Sequence, residues 1–356
     1  MRKNHLFKFI LVLICLSSLC KLNAQNTTIN MFGHINAFGI SKEDNFNAYM
    51  ELGEHDLFVR SNFTNKISFL GEYIVKPTAD GFSASIERSW IKYSYYRNHN
   101  LSVGKVHTPV NYWNDSYHHG RVFFPTIDRP MAFKHLVPIH TLGFRLQGQN
   151  LGKLNFGYDL MIGNGMESTD FFAEGLSPSY TLALHIKPIY GLQIRASYYY
   201  EFINNVNNMG SHAGHHQSHV GFHNHNPYTG FVEYNLWSMS VGYFGGKFEL
   251  LGEFSYNTTR TDTLGTAHNV SSFLYCGIPL NEMCIPFFTV DFINIGNKDL
   301  PSLPYNAFRT SIGYRHEFNE LVNLKIMLEH VTSFELMSDY GESDVLAFKI
   351  QVAYGI

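Results

Sequence analysis

Beyond residue 24 the chain contains no run of eighteen consecutive apolar residues, which excludes a helical membrane span in that part of the sequence. It carries no Gly-x-Ser-x-Gly, no His-Glu-x-x-His, no phosphate loop and no dinucleotide fingerprint, and no spacing singles out a Ser, His and Asp triad. Neither an enzyme activity nor a cofactor is expected. No linker-like shift in composition divides the chain. Charged residues make up only 15 % of it, and nucleic acid is not expected as a partner. Cysteine is scarce, with 4 in 356 residues.

At the N-terminus, Arg2, Lys3 and Lys8 precede an apolar core from Phe9 to Leu19, and Leu22-Asn23-Ala24 before Gln25 reads as a cleavage site. Residues 1–24 are expected to be a secretory signal and 25–356 a single domain. Lipid anchoring through Cys20 competes, but Leu19 stands where a small residue is wanted. Removing Arg2, Lys3, Lys8 and Lys21 takes 26 basic residues to 22 against 29 acidic ones, a balance of −7.

The rest of the chain alternates apolar and polar residues in stretches about ten residues long. In residues 152–163, Leu154, Phe156, Tyr158, Leu160 and Ile162 face one way and Asn155, Gly157, Asp159 and Met161 the other. A strand with one apolar face fits a soluble sandwich, where that face is buried, or a membrane barrel, where it meets lipid. Tyr and Phe gathered at strand ends, as at Tyr93, Tyr95, Tyr96 and Tyr198 to Tyr200, suit the aromatic girdles of a barrel, or cross-strand pairing in an ordinary sheet.

The pattern predicts sixteen strands, near 29–40, 55–63, 66–76, 83–96, 100–107, 140–149, 152–163, 179–188, 191–203, 229–244, 247–258, 268–278, 284–294, 306–317, 321–333 and 344–356. Tight turns are predicted to alternate strictly with longer connections, as in an all-β, antiparallel, up-and-down barrel of the outer membrane with periplasmic termini. Leu346, Phe348, Ile350, Val352, Tyr354 and Ile356 form a last apolar row. The chain is too short for a plug and twenty-two strands of the TonB-dependent kind.

Residues 101–115 (LSVGKVHTPVNYWND), with Tyr117-His118-His119-Gly120, Ile127-Asp128-Arg129-Pro130 and the preceding Ile86 to Tyr93, resemble the strand and inward loop of porin-like barrels from Bacteroidetes-type Gram-negative bacteria. These are similar to the phosphate-selective porin O and P group. The resemblance covers about fifty residues. It implies a channel with an inward-folded third loop and suggests a homotrimer, with outer-membrane lipid and small hydrophilic solutes or ions as partners.

Physically, residues 107–139 are the longest connection, held by Pro109, Pro125, Pro130 and Pro138 and rich in aromatics. Folded into the lumen they would narrow a pore; the alternative is an ordered external cap. Asp115, Arg121, Asp128 and Arg129 within the segment, with Lys105 and Arg145, are the candidate constriction and selectivity residues. Asp128 and Arg129 are equally read as a structural pair. The wall is expected to mix Arg88, Lys92, Lys187, Arg195, Arg309, Arg315 and Lys325 with Glu72, Asp159, Glu201, Glu249, Glu253, Asp291 and Glu329. Such mixing, with a negative balance, argues for weak general selectivity over phosphate capture.

Six imidazoles, His212, His215, His216, His219, His223 and His225, fall in a predicted external loop. They read either as a flexible polar loop or as a metal-binding stretch. Cys276 and Cys284 lie symmetrically about Leu280 and are expected to close a cross-strand disulfide, or else to stay two thiols. The function these features favour is a passive diffusion channel. A non-conducting binding or adhesion barrel with a metal-binding His-rich loop is the alternative.

Overall fold

The computed structural model describes residues 26–42, 45–78, 81–117, 120–166, 177–204, 230–299, 305–334 and 343–356. The predicted signal and the six histidines of residues 212–225 lie outside them, as do His118 and His119.

Sixteen antiparallel strands close into one barrel, each paired with its neighbours in sequence and the last with the first. The first eight are β1 (Asn26–Lys42), β2 (Asn45–Asn62), β3 (Ile67–Thr78), β4 (Gly81–Tyr96), β5 (His99–His107), β6 (His140–Leu151), β7 (Phe156–Gly163) and β8 (Ser179–Ile186). The rest are β9 (Leu192–Ile203), β10 (Val232–Phe244), β11 (Glu249–Thr261), β12 (Gly265–Gly277), β13 (Cys284–Ile295), β14 (Tyr305–Asn319), β15 (Val322–Phe334) and β16 (Ser343–Gly355).

Burial decides between sandwich and barrel. In β8 the apolar residues Tyr180, Leu182 and Leu184 are 48 %, 41 % and 41 % exposed, while Ser179, Thr181 and His185 are buried. A sandwich buries its apolar rows. Here they point away from the protein on every side, which is stable only against hydrocarbon. The polar rows line the inside of the ring and bond there between neighbouring strands, as Ser197 on β9 does with Ser238 on β10 at 2.5 Å.

Two expectations need correction. Strict alternation of short turns with long connections fails, because β1 ends at Lys42 and β2 begins at Asn45, β3 and β4 are separated only by residues 79–80, and β11 and β12 by 262–264. The register between β1 and β2 shifts between Gly33 and Ile35, so two residues of β2, Gly53 and Glu54, oppose His34. That bulge reverses the alternation halfway along β2, and only its second half reads as a strand from sequence.

The disulfide is the second correction. Cys276 pairs across the hairpin with Phe288, and the register is centred on Glu282 rather than Leu280. Cys284 therefore sits four residues along β13 from that partner, about 13 Å away and beyond the reach of a disulfide. Both thiols are free. Cys284 Sγ instead accepts a hydrogen bond from Tyr314 Oη at 2.9 Å.

The apolar core lies inside the ring. Residues 108–139 contribute Val110, Trp113, Phe124, Ile127 and Phe133, packed on inner-wall Leu236, Leu251, Phe273, Tyr275, Phe287 and Met327. Trp113 meets Phe124 and Phe273 edge-on, with centroids 5.3 and 5.6 Å apart, a favoured aromatic geometry.

Candidate channel interior

The segment between β5 and β6 folds as two short helices, α1 (Tyr112–Ser116) and α2 (Ala132–His135), with a 3-10 turn at Arg121–Phe123. Gly120 enters that turn at φ 73, which a side chain would oppose, and its N–H donates to Asp56 Oδ2 on β2 at 3.2 Å. Turns within the segment satisfy some of its backbone groups, as Leu136 N does by donating to Ala132 O at 2.7 Å, and leave others over. The inner wall satisfies these.

Wall cations hold the segment by its carbonyls. Arg195 Nη2 donates to Pro109 O at 3.2 Å, Arg315 Nη1 to Pro125 O at 3.3 Å, Arg309 Nη2 to Arg129 O at 2.6 Å and Lys325 Nζ to Arg121 O at 2.5 Å. Wall carboxylates hold its N–H groups, Glu253 taking Trp113 N at 2.7 Å and Asp291 taking Met131 N at 2.7 Å. The same cations are neutralised by acids beside them, Arg309 by Asp291 at 2.6 Å and Arg315 by Glu249 at 2.8 Å. Arg88 pairs with buried Glu72.

Asp115 reaches two strands, accepting from Arg195 at 2.7 Å and Arg145 at 3.2 Å, and both guanidiniums also touch Asp159. Burial alone would raise its pKa, but Arg195 and Arg145 hold it well below the usual carboxylate range. Asp128 is likewise opposed by burial and held low, by Lys349 at 2.7 Å and by Arg309. Asp128 is thus bound to β16. Arg121 and Arg129 flank buried Phe124, 4.9 and 5.5 Å from its ring centroid. Burial, reinforced by Arg121, lowers Arg129 to about 10, so it stays charged at neutral pH.

Other expected residues make further contacts. Lys105 donates to Ile86 O at 2.8 Å, Lys92 lies over the Trp90 ring at 5.7 Å, and half-buried Lys187 falls just past β8 in the turn to β9. Glu201 accepts Met166 N at 2.8 Å from the connection after β7.

The segment does not fill the ring. A cavity of about 760 Å³ remains between it and β1 to β3, bordered by Asn36, Tyr49, Glu51, Lys76, Asp128 and Lys349 among others. Gly53 clears its wall, since a Cβ there would meet His34 Nε2 at 2.1 Å. The predicted outer row of β16 passes over Lys349 and Gln351, the predicted second strand begins beyond Glu51, and the expected wall set, charged residues alone, passes over Asn36 on β1. Among the described residues no cluster of three or more His, Cys, Asp or Glu could hold a metal ion.

A closed ring of sixteen strands, apolar outside and ion-paired inside, defines an outer-membrane-type barrel. Solved structures share this fold. The anion-selective porin from Comamonas acidovorans superposes with a TM-score of 0.66 at 12 % identity, covering 93 % of this chain and 100 % of that one. The trimer form of OmpT, an outer membrane protein of Vibrio cholerae, gives 0.61 at 9 %, covering 93 % and 99 %. The outer membrane channel DcaP of Acinetobacter baumannii gives 0.61 at 10 %, covering 93 % and 97 %. At these identities the likeness is one of fold. No protein-family model matches the chain, and no curated protein matches it.

Proposed function

We propose that this protein is an outer-membrane porin, a passive diffusion channel for small hydrophilic solutes or ions in a Gram-negative cell, with both termini in the periplasm. The observation that carries this reading is the inverted burial of the ring, an apolar exterior around an interior of ion pairs and a polar cavity. Residues 108–139 are its constriction. Selectivity is weak, because most inner charges are already paired with one another. No catalytic role is assigned. A homotrimer is the proposed assembly, supported by a trimer of the same fold.

Single-channel conductance of the purified full-length protein in planar bilayers, with reversal potentials in a salt gradient, tests this reading. Discrete openings with a small reversal potential are expected. A reconstituted barrel that passes no current would replace the porin with a non-conducting binding barrel.

A further inference from the structure

We propose that the cavity along β1 and β2 is a saccharide-binding stretch of the passage; this rests on the channel reading above and narrows its solute. The charges bordering the cavity balance, Glu51, Glu54 and Asp128 against Lys76, Arg121 and Lys349. A free anion is drawn by one set and repelled by the other, so net charge recruits neither ion class. Two further features then choose among uncharged or doubly charged solutes.

The first is an aromatic pair on the wall. Phe38 and Tyr49 are opposite each other on β1 and β2, with ring centroids 5.1 Å apart and 40° between their planes. Tyr49 is 48 % exposed, and both rings border the cavity. The axial C–H face of a sugar ring is an apolar surface of the size and shape that stacks on such rings. A small zwitterion has no comparable face.

The second is a ladder of polar side chains crossing four adjacent strands just below the rings. Lys325 Nζ donates to Gln351 Oε1 at 3.2 Å, Gln351 Nε2 to Asn36 Oδ1 at 3.0 Å, and Asn36 Nδ2 to Glu51 Oε1 at 2.8 Å. At the spacing of neighbouring strands the row spans about 14 Å. Anchoring at Lys325 fixes which way each amide points. Each amide keeps hydrogen-bonding capacity beyond its neighbour, and Glu51 keeps a second carboxylate oxygen. Sugar hydroxyls both donate and accept, which such a row can answer and a phosphate, which chiefly accepts, cannot. The cavity, about 760 Å³, lies within the usual range for small-molecule sites.

The test uses the full-length protein in planar bilayers in potassium chloride, with maltose, glycine or potassium phosphate added to one side. Maltose is expected to reduce the ion current saturably. Tyr49→Ala should weaken that block about tenfold, whereas Tyr49→Phe should retain most of it and Glu51→Gln should weaken it less than Tyr49→Ala. Block is read in each variant as the maltose concentration that halves its own maltose-free current. A current that drops linearly with maltose, and equally in the wild type and a Phe38→Ala/Tyr49→Ala variant, reflects viscosity alone and overturns the proposal. Saturable block by glycine or phosphate with none by maltose overturns it too. Both outcomes leave the channel reading standing; absence of any wild-type current removes both.

Discussion

The wall from β9 to β15 and the wall from β1 to β3 face the same interior but use their side chains differently. On the first, Arg195, Arg309, Arg315 and Lys325 donate to carbonyls of residues 108–139, and Leu236, Phe273 and Tyr275 pack beneath its aromatics. On the second, Asn36, Tyr49 and Glu51 border open volume, and Lys76 has no charged partner among the described residues. One side clamps the segment along its length, and the other leaves open volume beside it. A charge on a pore wall therefore cannot be assigned to selectivity from its direction alone; what it already binds decides.

The largest expected effect removes the contrast altogether. Deleting residues 114–124 takes away the middle of the packed segment, and single-channel conductance should rise about twofold or more. If the segment were an external cap, conductance would stay near the wild-type value.

Next come single residues of the two walls. Arg195→Met removes a 1 % exposed guanidinium shared by Asp115 and Asp159, and should cost about 2–4 kcal/mol in urea unfolding. Lys76→Met should stay within about 0.5 kcal/mol. Equal losses would abolish the distinction between the walls.

Charge reversal sharpens it. Lys76→Glu should move the reversal potential toward cations without added current noise. Arg315→Glu frees Pro125 O and opposes Glu249, so it should raise open-channel noise as the segment loosens. A quiet Arg315→Glu channel would show that the clamp is unnecessary.

The smallest effect concerns pH. Carboxylates of depressed pKa, such as Asp115, contribute stability that is fully present above their unfolded value near 4 and lost as pH falls through the lower folded value. Whatever Asp115 contributes to selectivity should therefore not change between pH 8 and 5. His135 behaves differently, because burial and then Lys134 lower it from 6.5 to about 4. Its unfolded form binds the proton first, so the stability of the docked neutral ring is lost as pH falls from about 6.5 toward 4. A modest rise in noise over that window, absent in His135→Gln, is the expected result.

The strands were legible because lipid and lumen impose a two-residue period, and the number of strands followed from it. β2 was legible only beyond its bulge, since Phe46, Ala48, Met50 and Leu52 alternate in one phase and the residues after Glu54 in the other. The hairpin register was not legible, because Cys276 and Cys284 look symmetric about Leu280 while the backbone turns at Glu282. Mixed charge on the inner wall could be read from strand phase. Which charges hold a loop could not, because Arg309 meets Arg129 O across 180 residues of chain. A local cue existed in Phe273 and Tyr275, apolar residues on the inward face that require something to cover them.

The barrel closes where Met31 and Ile356 exchange two backbone hydrogen bonds, at 2.9 and 2.8 Å, beside the pair Phe32 and Gly355. All other strand pairs join neighbours in sequence; this one joins the ends. Until β16 arrives the sheet has two open edges, each a row of unpaired amides that hydrocarbon cannot solvate. Insertion and closure are thereby tied to one late, long-range event, the kind of contact that folds slowly. A chain lacking β16 would be left not with a slightly weaker barrel but with an open sheet exposed to pairing with its own copies.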